Sequence, residues 1–201
     1  MALNFAVNNS LSAITSLPAS ISGGSLNLIS TQTASSSSTI DFTSGIDSTY
    51  KEYIFKFYNI HAATNSTMFA FQVDTGTNTN YNQTITSTHF SVGHNEGDSD
   101  TIFSYQTGMD QAQGTSFQKL GNNLGNGNDE CLAGTLTLYD PSNTTFVKHF
   151  IARLAEYQNE DYAFDSYTAG YVNTTTALTR VQFKFESGAI DSGTIKLYGV
   201  A

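Results

Sequence analysis

The strongest constraint on this chain is a period of two. In "YKEYIFKFYNI", Tyr53, Phe55 and Phe57 fall on one side and Ile54, Lys56 and Tyr58 on the other. The same alternation gives Phe69, Phe71 and Val73 in "TMFAFQVD", Val181, Phe183 and Phe185 in "LTRVQFKFES", and Ile195 and Leu197 in "GTIKLYGV". Successive side chains of a strand point to opposite faces, so such a pattern buries one face and wets the other. Strands of a parallel βαβ sheet are buried on both faces and run continuously apolar. The pattern therefore predicts antiparallel sheets packed face to face, with the aromatic and aliphatic residues just named as their core.

Weaker strand signals fill the intervals. "SLNLISTQT" aligns Leu26, Leu28 and Ser30, "STIDFT" aligns Ile40 and Phe42, and "QTITSTHFSV", "GTLTLYD", "TFVKHFIARL" and "AFDSYTAGYV" follow. Gly, Asn, Asp and Ser clusters such as "TSGIDSTY", "DTGTNTNYN", "YDPSNTT" and "FESGAIDSG" punctuate them, supplying positive φ or side-chain bonds to the local backbone. "DTGTNTNYN" reads as a hairpin turn, with Asp74 as an alternative cation ligand. "FIARLAEYQNEDYAF" is the nearest approach to a helix. Residues 93–130 read as a long loop and, because such loops often carry function, as the first candidate binding surface. The expected fold is all-β: an antiparallel β-sandwich, jelly-roll-like, over residues 26–201, preceded by an extended N-terminal arm over residues 1–25. Leu3, Phe5, Val7, Leu11 and Ile14 lie in that Ser- and Asn-rich arm without a clean strand or helix period, which suggests a docking segment for assembly.

Charged residues make up only 12% of the 201-residue chain, about half the usual share, while Ser, Thr and Asn supply about a third. A surface solvated by hydroxyls and amides suits an extracellular or particle surface better than a helical cytosolic enzyme. The net charge is −9 and the eight Lys and Arg are scattered along the sequence, which argues against nucleic acid and against docking on an anionic membrane. The single cysteine, Cys131, precludes an intramolecular disulfide and reads as a small packed residue at a strand entrance. No signal-peptide pattern and no apolar run of membrane-spanning length is visible, so the expectation is synthesis in a cytoplasm without membrane insertion.

Reactive constellations are few. Glu96, Asp98 and Asp100 in "HNEGDSD" alternate as in some Ca²⁺ loops, although their spacing departs from the twelve-residue EF-hand loop and solvated acids are the ordinary reading. His61, His89, His94 and His149 lack metal-site spacing and read as structural. Pairs such as Glu156 with Asp161, or Glu160 with Asp165, meet the bare requirement of a glycosidase, but seventeen acids always supply such pairs. No phosphate-binding or nucleophile-elbow motif occurs, so no catalytic residue and no cofactor are expected. Phe103, Tyr105, Tyr157 and Tyr162 are aromatics that could stack on sugar faces, in a chain without Trp.

The stretch "STQTASSSSTIDFTSGIDSTYKEYIFKFYNIHAATN", with "TIDF" and "YKEYIFKF" inside it, then "DTGTNTNYN", "LYDPSNTTFVKHFIA" and the closing "SGTIKLYGV", resembles a recurrent β-domain in structural proteins of tailed bacteriophages, marine ones especially. The resemblance runs from about residue 25 to the end, and its motifs are structural. It implies a virion protein made in the host cytoplasm: a capsid decoration, a head fibre or a tail-associated receptor binder. Its implied partners are other virion proteins and further copies of itself, for instance as a trimer. It transfers no active-site residue. A carbohydrate- or host-receptor-binding module, with host surface glycan as partner, is the alternative, and a polysaccharide hydrolase the third.

Overall fold

The computed structural model describes residues 25–201, and the expected assembly arm, with Leu3, Phe5, Val7, Leu11 and Ile14, lies outside the described residues. Among them there is no helix, hence none long and apolar enough to cross a membrane. Twelve strands follow in order: β1 (Leu26–Ser37), β2 (Ile40–Phe42), β3 (Glu52–Ala62), β4 (Phe69–Thr75), β5 (Ile85–Asn95), β6 (Thr101–Tyr105), β7 (Gln118–Lys119), β8 (Leu132–Tyr139), β9 (Lys148–Tyr157), β10 (Tyr162–Val172), β11 (Leu178–Phe185) and β12 (Ile190–Val200). They form an eight-stranded sheet, β1-β12-β3-β8-β9-β10-β5-β6, and a four-stranded sheet, β2-β11-β4-β7. Every pairing is antiparallel.

The topology resolves into a jelly roll and an addition. Strands β1 to β4 alternate between the sheets, and β1 pairs with β12, β2 with β11, β3 with β8 and β4 with β7. Those nested pairs are a long hairpin folded over on itself, the jelly-roll connection. The remaining strands, β9, β10, β5 and β6, extend the large sheet beyond β8 and have no strand of the small sheet opposite them in sequence order.

The core lies between the sheets. Tyr53, Phe55, Phe57, Phe69, Phe71, Val181, Phe183, Phe185, Ile195 and Leu197 are all buried there, as the alternation predicts. Phe183 is the hub: its ring lies 5.1 Å from Phe55, 5.3 Å from Phe57, 5.8 Å from Phe69 and 6.1 Å from Phe42, mostly edge to face. Such pairs add roughly 0.5–1.5 kcal/mol each beyond the area they bury.

Four local expectations are corrected. "FIARLAEYQNEDYAF" is not helical; it forms most of β9 and the start of β10, with Phe150, Ala152, Leu154 and Glu156 pointing inward. "DTGTNTNYN" does not close a hairpin, because β4 and β5 belong to different sheets. Asp74 is buried in that crossing and accepts bonds from the Tyr81 amide (2.9 Å) and Gln83 Nε2 (3.1 Å), which explains the aspartate without a cation. In β1 the register shifts between Leu28 and Ser30, so Ile29 packs on the core and Leu28 points outward. Finally, residues 93–130 are not one loop but contain β6 and β7.

Candidate binding face of the large sheet

The inward positions of the extension differ from the core. They carry Ser87, His89, Ser91, Glu156, Ser166 and Thr168, all buried. Residues 106–124, irregular apart from β7, cover them; their backbone needs partners, and side chains of the strands beneath and of the segment itself provide them. The Gln111 amide donates to Ser87 Oγ (2.9 Å), Ser87 Oγ to Gln118 Oε1 (2.6 Å), Gln118 Nε2 to the Met109 carbonyl (2.8 Å), and the Asn122 amide to Glu156 Oε2 (2.7 Å). Burial pushes the Glu156 carboxyl up to about 8 and the His89 imidazole down to about 4. Both groups are thus neutral at pH 7. This side is closed scaffolding rather than an open site.

The open surface is the other face. Among the described residues nine large hydrophobics are exposed, and eight of them (Leu28, Tyr58, Phe90, Val92, Phe103, Tyr105, Tyr139 and Ile151) are outward positions of the large sheet. The strand register sets them in rows. One row runs Thr31, Lys196, Lys56, Thr135, Arg153, Tyr167, Phe90, Tyr105 across all eight strands. At about 4.8 Å per strand it spans about 34 Å.

At the extension end the row becomes an aromatic ladder. Phe90 stacks on Tyr167 at 4.8 Å with the rings 5° from parallel, and Phe103 leans on Phe90 at 6.1 Å. Arg153 lies 4.9 Å from the Tyr167 ring centre and grips Asp165 through Nε to Oδ1 (3.0 Å) and Nη2 to Oδ2 (2.7 Å). The Arg153 hydrogen bonds hold the Asp165 carboxyl below the usual carboxylate range. The Tyr167 hydroxyl donates to the same carboxylate at 3.0 Å, so the ladder is fixed before any ligand arrives. Phe103 is 78% exposed on edge strand β6, beside a depression of ≈ 590 Å³ lined by Val92, His94, Thr101 and Phe164 among others.

The predicted aromatics divide accordingly. Phe103 and Tyr105 come together on this face, and Tyr105 donates to Asp110 Oδ2 at 2.6 Å. Tyr157 sits at the end of β9, bonded to Asp161 (3.1 Å). Tyr162 has inward parity, lies 5.7 Å from the Phe164 ring and donates to Asp100 Oδ2 (2.7 Å), so it does not join the ladder. Phe90, Tyr167 and Arg153 belong to the site without having been singled out, and their signal was the outward parity of β5, β9 and β10.

Glu96, Asp98 and Asp100 do not converge. The Asp98 carboxylate faces His94 Nε2 at 3.1 Å and Asp100 accepts from Tyr162, while Asn95 Oδ1 closes the turn by accepting from the Ser99 and Asp100 amides (3.0 and 2.9 Å). Among the described residues no group of three His, Cys, Asp or Glu side chains is placed to hold a metal ion. The glycosidase pairs are also separated by their surroundings: Glu156 is enclosed on the inner face, Asp161 lies at the β9–β10 turn, and Asp165 is tied to Arg153 outside. Cys131, just ahead of β8, is half-buried, and burial together with Asp129 raises its thiol pKa. Compared with known protein-family models and with curated proteins, the chain matches none.

Proposed function

We propose that this protein is a non-enzymatic structural component of the surface of a tailed bacteriophage particle, a capsid decoration, head fibre or tail-associated protein, that works by presenting the outer face of its large sheet. The observation that carries the reading is the concentration of exposed hydrophobics on that one face, while the opposite face is closed by the small sheet and residues 106–124. A contiguous exposed apolar face marks an interaction surface. The sequence resemblance to phage structural β-domains supplies the particle. Quantitative mass spectrometry of gradient-purified particles tests it: the protein is expected at a fixed copy number per particle. Abundance in infected cells with absence from particles would contradict it.

A second reading, recognition of a host surface glycan, is favoured by the pre-fixed ladder of Phe90, Phe103 and Tyr167 beside an open depression. Flat aromatic faces suit the apolar faces of sugars. On this reading Phe103→Ala abolishes signals on a glycan array while leaving the fold intact, and an array without any signal for the native protein would count against it.

A further inference from the structure

Resting on that second reading, a site at the opposite end of the same row names the ligand class: we propose that the outer face binds an acidic polysaccharide, one bearing carboxylate or sulfate groups, between Lys56 and Lys196.

The two lysines are direct cross-strand partners on β3 and β12. Like charges directly opposite on one sheet face destabilise it. Here they are not neutralised. Among the described residues no acid lies within 4.0 Å of either ammonium, and residues 1–24 contain no acidic side chain at all. The outward strand acids are committed or displaced: Asp165 is held by Arg153, Asp191 faces His61, and Glu52 lies four residues from Lys56 along β3.

The lysines lean apart along the sheet diagonals. Lys56 lies over the Tyr198 ring at 5.4 Å, and Lys196 over the Tyr58 ring at 5.6 Å. The result is a near-symmetric cradle of two ammonium groups flanked by two tyrosine rings, with Thr31 and Thr135 next along the row. In a chain of net charge −9 this is a local reversal of sign. An anion seated between the lysines removes the repulsion, the tyrosines offer flat faces and the threonines offer hydrogen bonds.

The unneutralised lysine pair favours a glycan over a protein partner, since the centres of protein interfaces are depleted of Lys. It also favours a sparsely charged chain over nucleic acid, whose dense phosphates call for many cations. The row leads from this cradle through Thr135 to Arg153 and the aromatic ladder, so a linear chain lying across the strands meets both ends.

Affinity electrophoresis of the full chain decides it, in native gels containing a polyuronate, a sulfated galactan or neutral dextran. The acidic glycans are expected to retard the protein and dextran not to, with retardation falling as salt rises. In Lys56→Gln/Lys196→Gln, affinity should drop on the order of tenfold or more, and Lys56→Arg/Lys196→Arg should restore it. Equal retardation by dextran overturns the acidic specificity and leaves the glycan reading standing, whereas retardation by no glycan removes both. Undiminished binding by the Gln variant, or equal binding to an acidic peptide or duplex DNA, overturns the site.

Discussion

The two halves of the large sheet solve burial differently. Under β1, β12, β3 and β8 lies the small sheet, and the space between holds Phe42, Phe55, Phe57, Phe69, Phe71 and Phe183 in mutual ring contact. Under β5, β10 and the end of β9 lies a largely irregular segment, and the buried face there is mainly Ser, Thr, His and Glu, whereas Phe150, Ala152 and Leu154 of β9 still belong to the hydrophobic core. The difference follows from what does the covering. A sheet arrives with its backbone bonds already paired, so it can be met by hydrocarbon. A loop arrives with free amides and carbonyls, so the strands beneath must supply polar partners. The supply is incomplete: His89 Nε2 and Gln111 Oε1 are buried without a partner among the described residues. The jelly roll is therefore the stabilising half, and the extension is a platform it supports.

The largest expected effect tests the stabilising half. Phe183→Ala should cost about 3–5 kcal/mol in urea denaturation, as should Phe55→Ala, because each removes a fully enclosed ring. A loss below about 1 kcal/mol would mean that the rings are not the centre of the fold.

A smaller effect should come from the extension's buried titratable pair. Glu156 has its carboxyl raised from 4.5 to about 8, so the folded state holds a proton that the unfolded chain releases, and stability falls as pH rises between those values. His89 is lowered from 6.5 to about 4, so the unfolded chain takes up a proton the folded state refuses, and stability falls as pH drops through that window. Between about pH 4.5 and 6.5 the two oppose each other; above 6.5 only Glu156 acts. Stability should thus decline by up to about 2 kcal/mol from pH 6.5 to 8, and Glu156→Gln should abolish the decline. A native profile flat across that interval, or a decline that survives the substitution, would show that Glu156 is not enclosed as a neutral acid.

The smallest effect belongs to the ladder. Phe103→Ala should change stability by no more than about 0.5 kcal/mol, since the ring is largely in water, while removing binding. A loss of several kcal/mol would make Phe103 a packing residue and the ladder part of the fold.

The sequence shows the core of the jelly roll plainly, because β3, β4, β11 and β12 keep strict alternation of large apolar residues with polar ones. It obscures β9, where Ala152, Arg153, Leu154, Ala155 and Glu156 are good helix formers; pairing with β8 and β10 overrides that preference. It hides the crossing at "DTGTNTNYN", because the same turn chemistry serves a hairpin or a passage between sheets. Of the binding face, Phe103 and Tyr105 could be picked out as loop aromatics, and Lys56 and Tyr58 as the outward side of β3. The pairing of Lys56 with Lys196 could not, because register between strands so distant in sequence is fixed only by the folded sheet.

Hydroxyl-radical footprinting by mass spectrometry tests most directly the claim that function resides on the outward face of the large sheet. Oxidation is compared between the free protein and the protein on its particle or on an acidic glycan. The account predicts protection of Tyr58, Tyr198, Phe103 and Tyr105, with Phe117, which lies beneath Lys184 on the small-sheet side, unchanged. Protection at Phe117 with those four residues still fully reactive would contradict it.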